Sequence, residues 1–246
     1  MKLLVFDLDG TLYRGATPLP GAIETIAKLR ERYKIRFLTN NSALTRPMIA
    51  NRLAGMGFQA TPEECYGTAD GVAARLRELK LRSALVVGEP GLHQAVRAAG
   101  VTLDDFQPDA IVVGICRTFS YELMDAAARA IRAGARFLAT NTDATYPIED
   151  GQQQPGAGAI VASIAVVSGQ EPEVIGKPEP TLIHQILREA GVDPADALVI
   201  GDRVETDIVA GERAGCPTWL VLTGVTSTPP PGQDYGHSLL DLLARL

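Results

Sequence analysis

Apolar residues arrive along this chain in short blocks that end abruptly at polar residues or glycine. The first block, Leu3-Leu4-Val5-Phe6, stops at Asp7-Leu8-Asp9-Gly10. A run this short and this uniformly apolar predicts a parallel strand covered on both faces. Residues 18–32 then carry Ile23, Ile26, Ala27 and Leu29 on one helical face, with prolines at the entry. A second strand is expected at Lys34–Thr39, a helix over 43–56, a short third strand at 64–67 and a helix reaching residue 80. The order is β-α-β-α-β-α, which right-handed crossovers join into a parallel sheet.

From Ser83 the alternation restarts. Strands are expected at 85–88, 111–114 and 137–140, a helix over 121–133, and a last helix over 157–168 before Gly169-Gln170-Glu171-Pro172 breaks the chain. Beyond Val174-Ile175 the first style returns, with a helix at 181–190, a strand at 198–200, a helix at 207–214 and a strand at 219–222. Pro229-Pro230-Pro231-Gly232 stiffens a turn, and Leu239, Leu240, Leu242, Leu243 and Leu246 give a closing helix its packing face. Two α/β units are therefore expected, one from residues 1–80 and 173–246, the other from 81–172.

Composition narrows the class. The 246 residues suffice for two cores, and 46% hydrophobic with 21% charged residues is ordinary for a globular chain. A formal net charge of -6 disfavours nonspecific binding to nucleic acid or an anionic membrane. The apolar run before Asp7 is shorter than a secretory core, and the longest nearly apolar stretch, 157–167, falls short of a membrane span. Three scattered cysteines without Cys-x-x-Cys spacing suggest free thiols in a reducing cytoplasm rather than a disulfide framework or zinc site.

The candidate chemistry sits at strand ends. Asp7 and Asp9 can share a small site, one attacking and one handling protons, if positive charge offsets their repulsion. Alternatively they are turn and helix-entry residues, since Asp-Gly is an ordinary turn signal. Arg36-Phe37-Leu38-Thr39-Asn40 and Arg136-Phe137-Leu138-Ala139-Thr140-Asn141 echo each other, placing a Thr-Asn pair at two strand ends. Either two similar strands end in the same turn residues by chance, or the first pair binds a reacting phosphate while the second, through Asn141 and Asp143, faces it. No Gly-x-Gly-x-x-Gly follows the first strand, which disfavours a nucleotide-dependent dehydrogenase.

Four clusters in order resemble the motifs of the haloacid dehalogenase superfamily. Asp7-Leu8-Asp9-Gly10-Thr11-Leu12-Tyr13-Arg14-Gly15 is similar to the first motif, in the form found in the NagD-like, 4-nitrophenyl-phosphatase branch. Phe37-Leu38-Thr39-Asn40-Asn41-Ser42 resembles the second, Gly176-Lys177-Pro178-Glu179-Pro180 the third, and the segment from Val199 through Gly201-Asp202 to Asp207 the fourth. Residues 140–147 and 155–160 resemble cap segments of this branch, with Thr142 departing from the proline that the branch favours.

The resemblance implies a doubly wound parallel-sheet (Rossmann-like) core with an inserted α/β cap, and a magnesium-dependent phosphatase acting on small-metabolite phosphomonoesters. Nucleoside monophosphates, sugar phosphates and glycolate-type phosphates are the expected substrates, with 4-nitrophenyl phosphate as a surrogate. It implies in-line attack by Asp7 to give an aspartyl-phosphate, with Asp9 protonating the leaving oxygen and then activating water. Mg2+ would be held by the Asp7 carboxylate, the Asp9 carbonyl and Asp202, with Asp207 behind them. Gly10, Thr39, Asn40 and Lys177 would bind the phosphate, and Asn141, Asp143 and Tyr146 of the cap would meet the substrate. A homodimer through the cap is the implied assembly, and no nucleic-acid or membrane partner is expected. Within the superfamily, Asp9 argues against a dehalogenase, the absence of a lysine in a small early cap against a phosphonatase, and the large late cap against a phosphomutase. The reading from another class is a noncatalytic module that grips a phosphometabolite on the same fold.

Overall fold

The computed structural model describes residues 1–147 and 153–246. The chain divides into two compact units, one of Met1–Thr39, Arg46–Tyr66 and Lys177–Leu246, the other of Asn40–Thr45 and Gly67–Gly176. Both are α/β.

In the first unit a six-stranded sheet runs in the order Tyr235–Gly236, Thr218–Val221, Ala197–Gly201, Leu3–Phe6, Lys34–Thr39, Cys65–Gly67. Leu3–Phe6 pairs in parallel with Ala197–Gly201 on one side and Lys34–Thr39 on the other, with Val5 opposite both Val199 and Arg36. The chain therefore leaves its first strand in one direction and returns on the opposite side. In an open parallel sheet such a reversal opens a crevice at the carboxyl ends of the strands, where ligands bind. Leu3, Val5, Ala197 and Val199 pack with Leu182, Ile183, Ile186 and Leu187 of the helix Thr181–Ala190. That helix stops at Gly191, whose φ of 63° suits a left-handed cap. The closing helix Leu239–Arg245 starts at Ser238, whose hydroxyl accepts the Leu240 N–H, while Asp241 accepts the Ser238 N–H.

In the second unit five parallel strands run Glu173–Val174, Arg136–Ala139, Ala110–Val113, Ser83–Val87, Thr102–Leu103. Alternate side chains of these apolar strands enter two different cores. Ala84, Val86, Ala110 and Val112 join Val72, Leu76, Leu92 and Val96 from the helices Thr68–Glu78 and Pro90–Ala98. Leu85, Val87, Ile111 and Val113 join Ala127, Ile131, Val161 and Ile164 from Tyr121–Arg132 and Ala157–Ser168. Burial on both faces is why these strands read as unbroken apolar runs. A separate antiparallel pair joins Thr145–Pro147 to Gln153–Pro155.

Several elements depart from the expected boundaries. The helix expected over 18–32 is Ala22–Arg30, because Tyr13–Arg14 and Thr17–Pro18 form an antiparallel pair and Gly21 turns with φ 75°. The helix expected over 43–56 is Arg46–Gly55, since Ala43 N–H bonds Asn41 Oδ1 in a local turn. Residues 204–208 form a π-helical turn before Val209–Arg213, where one continuous helix from 207 was expected. No helix among the described residues is long and apolar enough to cross a membrane.

Phe37 is fully buried in the strand beside Leu3–Phe6. Phe37→Ala is expected to lower unfolding stability by about 3–5 kcal/mol in urea titrations; a loss below about 1 kcal/mol would show that this strand is not part of the stabilising core.

Candidate active site

The candidate carboxylates of the first unit stand just past strand ends. Asp7 follows Leu3–Phe6, its N–H donating to the Ile200 carbonyl at 2.8 Å, and Asp202 follows Ala197–Gly201. Lys177 enters between two of these acids. Its ammonium donates to Asp7 Oδ1 at 2.5 Å and to Asp207 Oδ1 at 2.6 Å, with its side chain only 4% exposed. Asp207 Oδ2 also accepts the Arg203 N–H at 3.0 Å, across the turn that carries it. Thr11, fully buried, donates its hydroxyl to Asp7 Oδ2 at 3.2 Å.

Glycines let these groups approach. A Cβ on Gly10, whose φ is +90°, would lie 2.6 Å from Asp202 Oδ2, and one on Gly224 would overlap the same carboxylate. One on Gly201 would overlap Asp207. Asp202 Oδ2 accepts the Val225 N–H at 2.6 Å, and Thr223 Oγ1 donates to the Gly10 carbonyl at 2.7 Å.

The cluster is short of positive charge. Burial pushes the Asp7 carboxyl well above the usual carboxylate range; Lys177 pulls it back, and Asp207 and Asp202 push it up again. Burial, with Asp207 adding, pushes Asp202 up to about 7. Burial works against the Lys177 ammonium, but Asp207 and Asp7 outweigh it and keep the lysine protonated beyond its ordinary range. Protein atoms crowding the Asp9 carboxyl raise its pKa, opposed by Arg52 and Tyr13, although the residue as a whole is exposed. Asp7, Asp202 and Asp207 each offer a carboxylate oxygen within 4.8 Å of the others. Three hard oxygen donors around one ammonium suit a divalent cation of the magnesium type.

Thr39 is buried at the end of Lys34–Thr39, beside the first strand. Asn40 and the remaining candidates belong to the second unit. There the Asn40 carbonyl accepts from Thr68 Oγ1 and from Asn141 Nδ2, and Asn40 Nδ2 donates to Asp143 Oδ2. Asn141 is buried with both ends of its amide engaged, its Oδ1 accepting the Asp143 N–H. Tyr146 bonds Gln154 and accepts from Arg117. Thr11, Tyr13, Thr223 and Val225 were not singled out from sequence. Thr218–Val221 is an apolar strand that runs into the turn Leu222-Thr223-Gly224, the same kind of strand end that exposed the other motifs.

The haloacid dehalogenase-like hydrolase family matches residues 4–102, and a HAD-hydrolase-like family matches residues 174–239. The chain is 39% identical over 227 residues to the 5'-nucleotidase YutF of Bacillus subtilis, covering 92% of this chain and 88% of that one. It is 35% identical over 228 residues to the ribonucleotide monophosphatase NagD of Escherichia coli K12, covering 92% and 90%. The structure of the glycerol phosphate phosphatase Rv1692 from Mycobacterium tuberculosis, in complex with magnesium, aligns with a TM-score of 0.90 at 35% identity over 98% of this chain and 76% of that one. Strand order, carboxylate placement and these matches converge, and the chain belongs to the haloacid dehalogenase-like hydrolases, on their NagD-like branch.

Proposed function

We propose that the protein is a magnesium-dependent phosphomonoesterase for small metabolites that works through an aspartyl-phosphate. The observation that carries the reading is Lys177 bound at once to Asp7 and Asp207, with Asp202 alongside. Asp7, the carboxylate nearest the ammonium at the end of the first strand, attacks phosphorus in line. As the new P–O bond forms, Asp9 gives its proton to the ester oxygen, which departs with the electron pair of the broken bond. Asp9 then takes a proton from water, whose oxygen attacks phosphorus and returns Asp7 as a carboxylate. Lys177, Thr39 and the backbone near Gly10 and Asn40 bind the phosphoryl oxygens, so positioning and electrostatics supply most of the acceleration. Asp7, Asp202 and the Asp9 carbonyl are the groups proposed to hold Mg2+, with Asp207 orienting Lys177. The ion, when bound, neutralises charge on the transferring phosphoryl group.

We assign substrate selection to an inserted cap of residues 81–172, with Asn141, Asp143 and Tyr146 as its contributors. The relatives' nucleotide and glycerol phosphate activities support a nucleoside monophosphate, sugar phosphate or similarly small ester. A homodimer through this cap is consistent with the charge-free helix Ala157–Ser168, on which Val166 stands 82% exposed. Three free, buried cysteines are consistent with a reducing cytoplasm.

With 4-nitrophenyl phosphate and Mg2+, EDTA and Asp7→Asn are each expected to cut turnover on the order of 10³-fold or more while the fold persists. Activity that survives in Asp7→Asn would remove Asp7 as nucleophile. A pH-dependent metal effect follows from Asp202, whose value of about 7 in the fold exceeds its ordinary 3.8. Between these values the folded state holds more protons than the unfolded one, so metal-free stability falls as pH rises through the window. Melting in EDTA is expected to drop from pH 5 to pH 8, and Mg2+ to raise melting more at pH 8 than at pH 5. A Mg2+ effect that is larger at pH 5 would contradict this ligand assignment.

A further inference from the structure

Tyr13 is only 2% exposed, yet its hydroxyl belongs to the active-site loop rather than to the apolar core. The loop is drawn tight: the Leu8 carbonyl takes the N–H groups of Thr11 and Leu12 at 3.2 and 2.8 Å, and Gly10 N–H donates to the Tyr13 carbonyl at 2.8 Å. Asp9 and Tyr13 form an isolated backbone bridge. The phenol then donates to Asp9 Oδ2 at 3.3 Å. The ring is held in turn. Arg52, from the helix Arg46–Gly55, places its guanidinium 5.1 Å from the Tyr13 ring centroid and donates to the Gly15 carbonyl at 2.8 Å.

We propose that Tyr13, clamped by Arg52, is a positioning residue that fixes which oxygen of Asp9 exchanges protons with the substrate. This rests on the phosphatase reading above. A carboxyl acting first as acid and then as base has two oxygens and free rotation, and only one orientation meets the leaving group. With Oδ2 occupied by the phenol, Oδ1 carries the proton that passes to the ester oxygen as the P–O bond breaks. The same oxygen later receives the proton of the attacking water. Misplacing such a group by about 1 Å is enough to cost on the order of 10²-fold in rate.

The readout is the dependence of kcat/KM on the leaving group, which reports steps up to phosphoenzyme formation. An ester with a poor leaving group, such as glycerol phosphate, needs the proton more than 4-nitrophenyl phosphate does. Tyr13→Phe keeps the ring and removes only the hydroxyl. It is expected to lose about tenfold more kcat/KM on glycerol phosphate than on 4-nitrophenyl phosphate, in the direction of the larger split given by Asp9→Asn. Arg52→Met, on an exposed helix surface, is expected to reproduce part of that split with the melting temperature kept. Equal losses on both esters, or none, in Tyr13→Phe while Asp9→Asn shows the split would overturn the positioning role alone. No split in Asp9→Asn would overturn it together with the donor reading on which it rests.

Discussion

One ammonium buried among three carboxylates is the constraint on which the first unit depends. Asp7, Asp202 and Asp207 bring negative charge into a region where burial already penalises it, and Lys177 answers only part of it. Like charges about 4 Å apart repel by ~4 kcal/mol per pair at an effective dielectric near 20. Protons held by Asp7 and Asp202 relieve part of this repulsion, and a dianionic phosphate would add to it. A divalent cation, as proposed above, would offset both.

Backbone geometry makes the clustering feasible. Parallel strands on both sides of Leu3–Phe6 deliver Asp7 and Asp202 to neighbouring strand ends. The glycines at 10, 201 and 224 remove the Cβ atoms that would otherwise occupy the space of the carboxylates. Local turns finish the work. Val225 N–H fixes Asp202, Arg203 N–H fixes Asp207, and Tyr13 with Thr11 fixes the two acids of the first loop. Each acid thus has a neutral hydrogen-bond partner that restricts its rotation without cancelling its charge.

Much of this was legible in the sequence, for a physical reason. Strands buried on both faces must be apolar throughout, so Leu3–Phe6, Ala110–Val113 and Ala197–Gly201 stand out, and the polar residues that end them mark the crevice. The one-faced helix Thr181–Ala190 and the almost wholly apolar helix Ala157–Ser168 match their expected bounds to the residue. Two-residue pairings such as Tyr13–Arg14 with Thr17–Pro18 were not expected, because so short a ladder has no hydrophobic period. Nor was the π turn at Val204–Ile208, which carries the Asp207 that Lys177 bonds and has no signature in the hydrophobic period. Tyr13 was read only as part of a motif, since its value lies in a contact with Asp9 that periodicity does not encode. The bonds of the Asn141 amide with Asn40 and Asp143 are likewise contacts that periodicity does not encode.

The most direct measurement is rapid acid quench of turnover on phosphorus-labelled 4-nitrophenyl phosphate, followed by peptide mapping, with Asp9→Asn included to slow phosphoenzyme hydrolysis. The expected result is label on the peptide that contains Asp7, accumulating in Asp9→Asn and absent in Asp7→Asn. Turnover without protein-bound label in either active form, or label on a peptide lacking Asp7, would contradict Asp7 as the group that Lys177 and the surrounding carboxylates are arranged to serve.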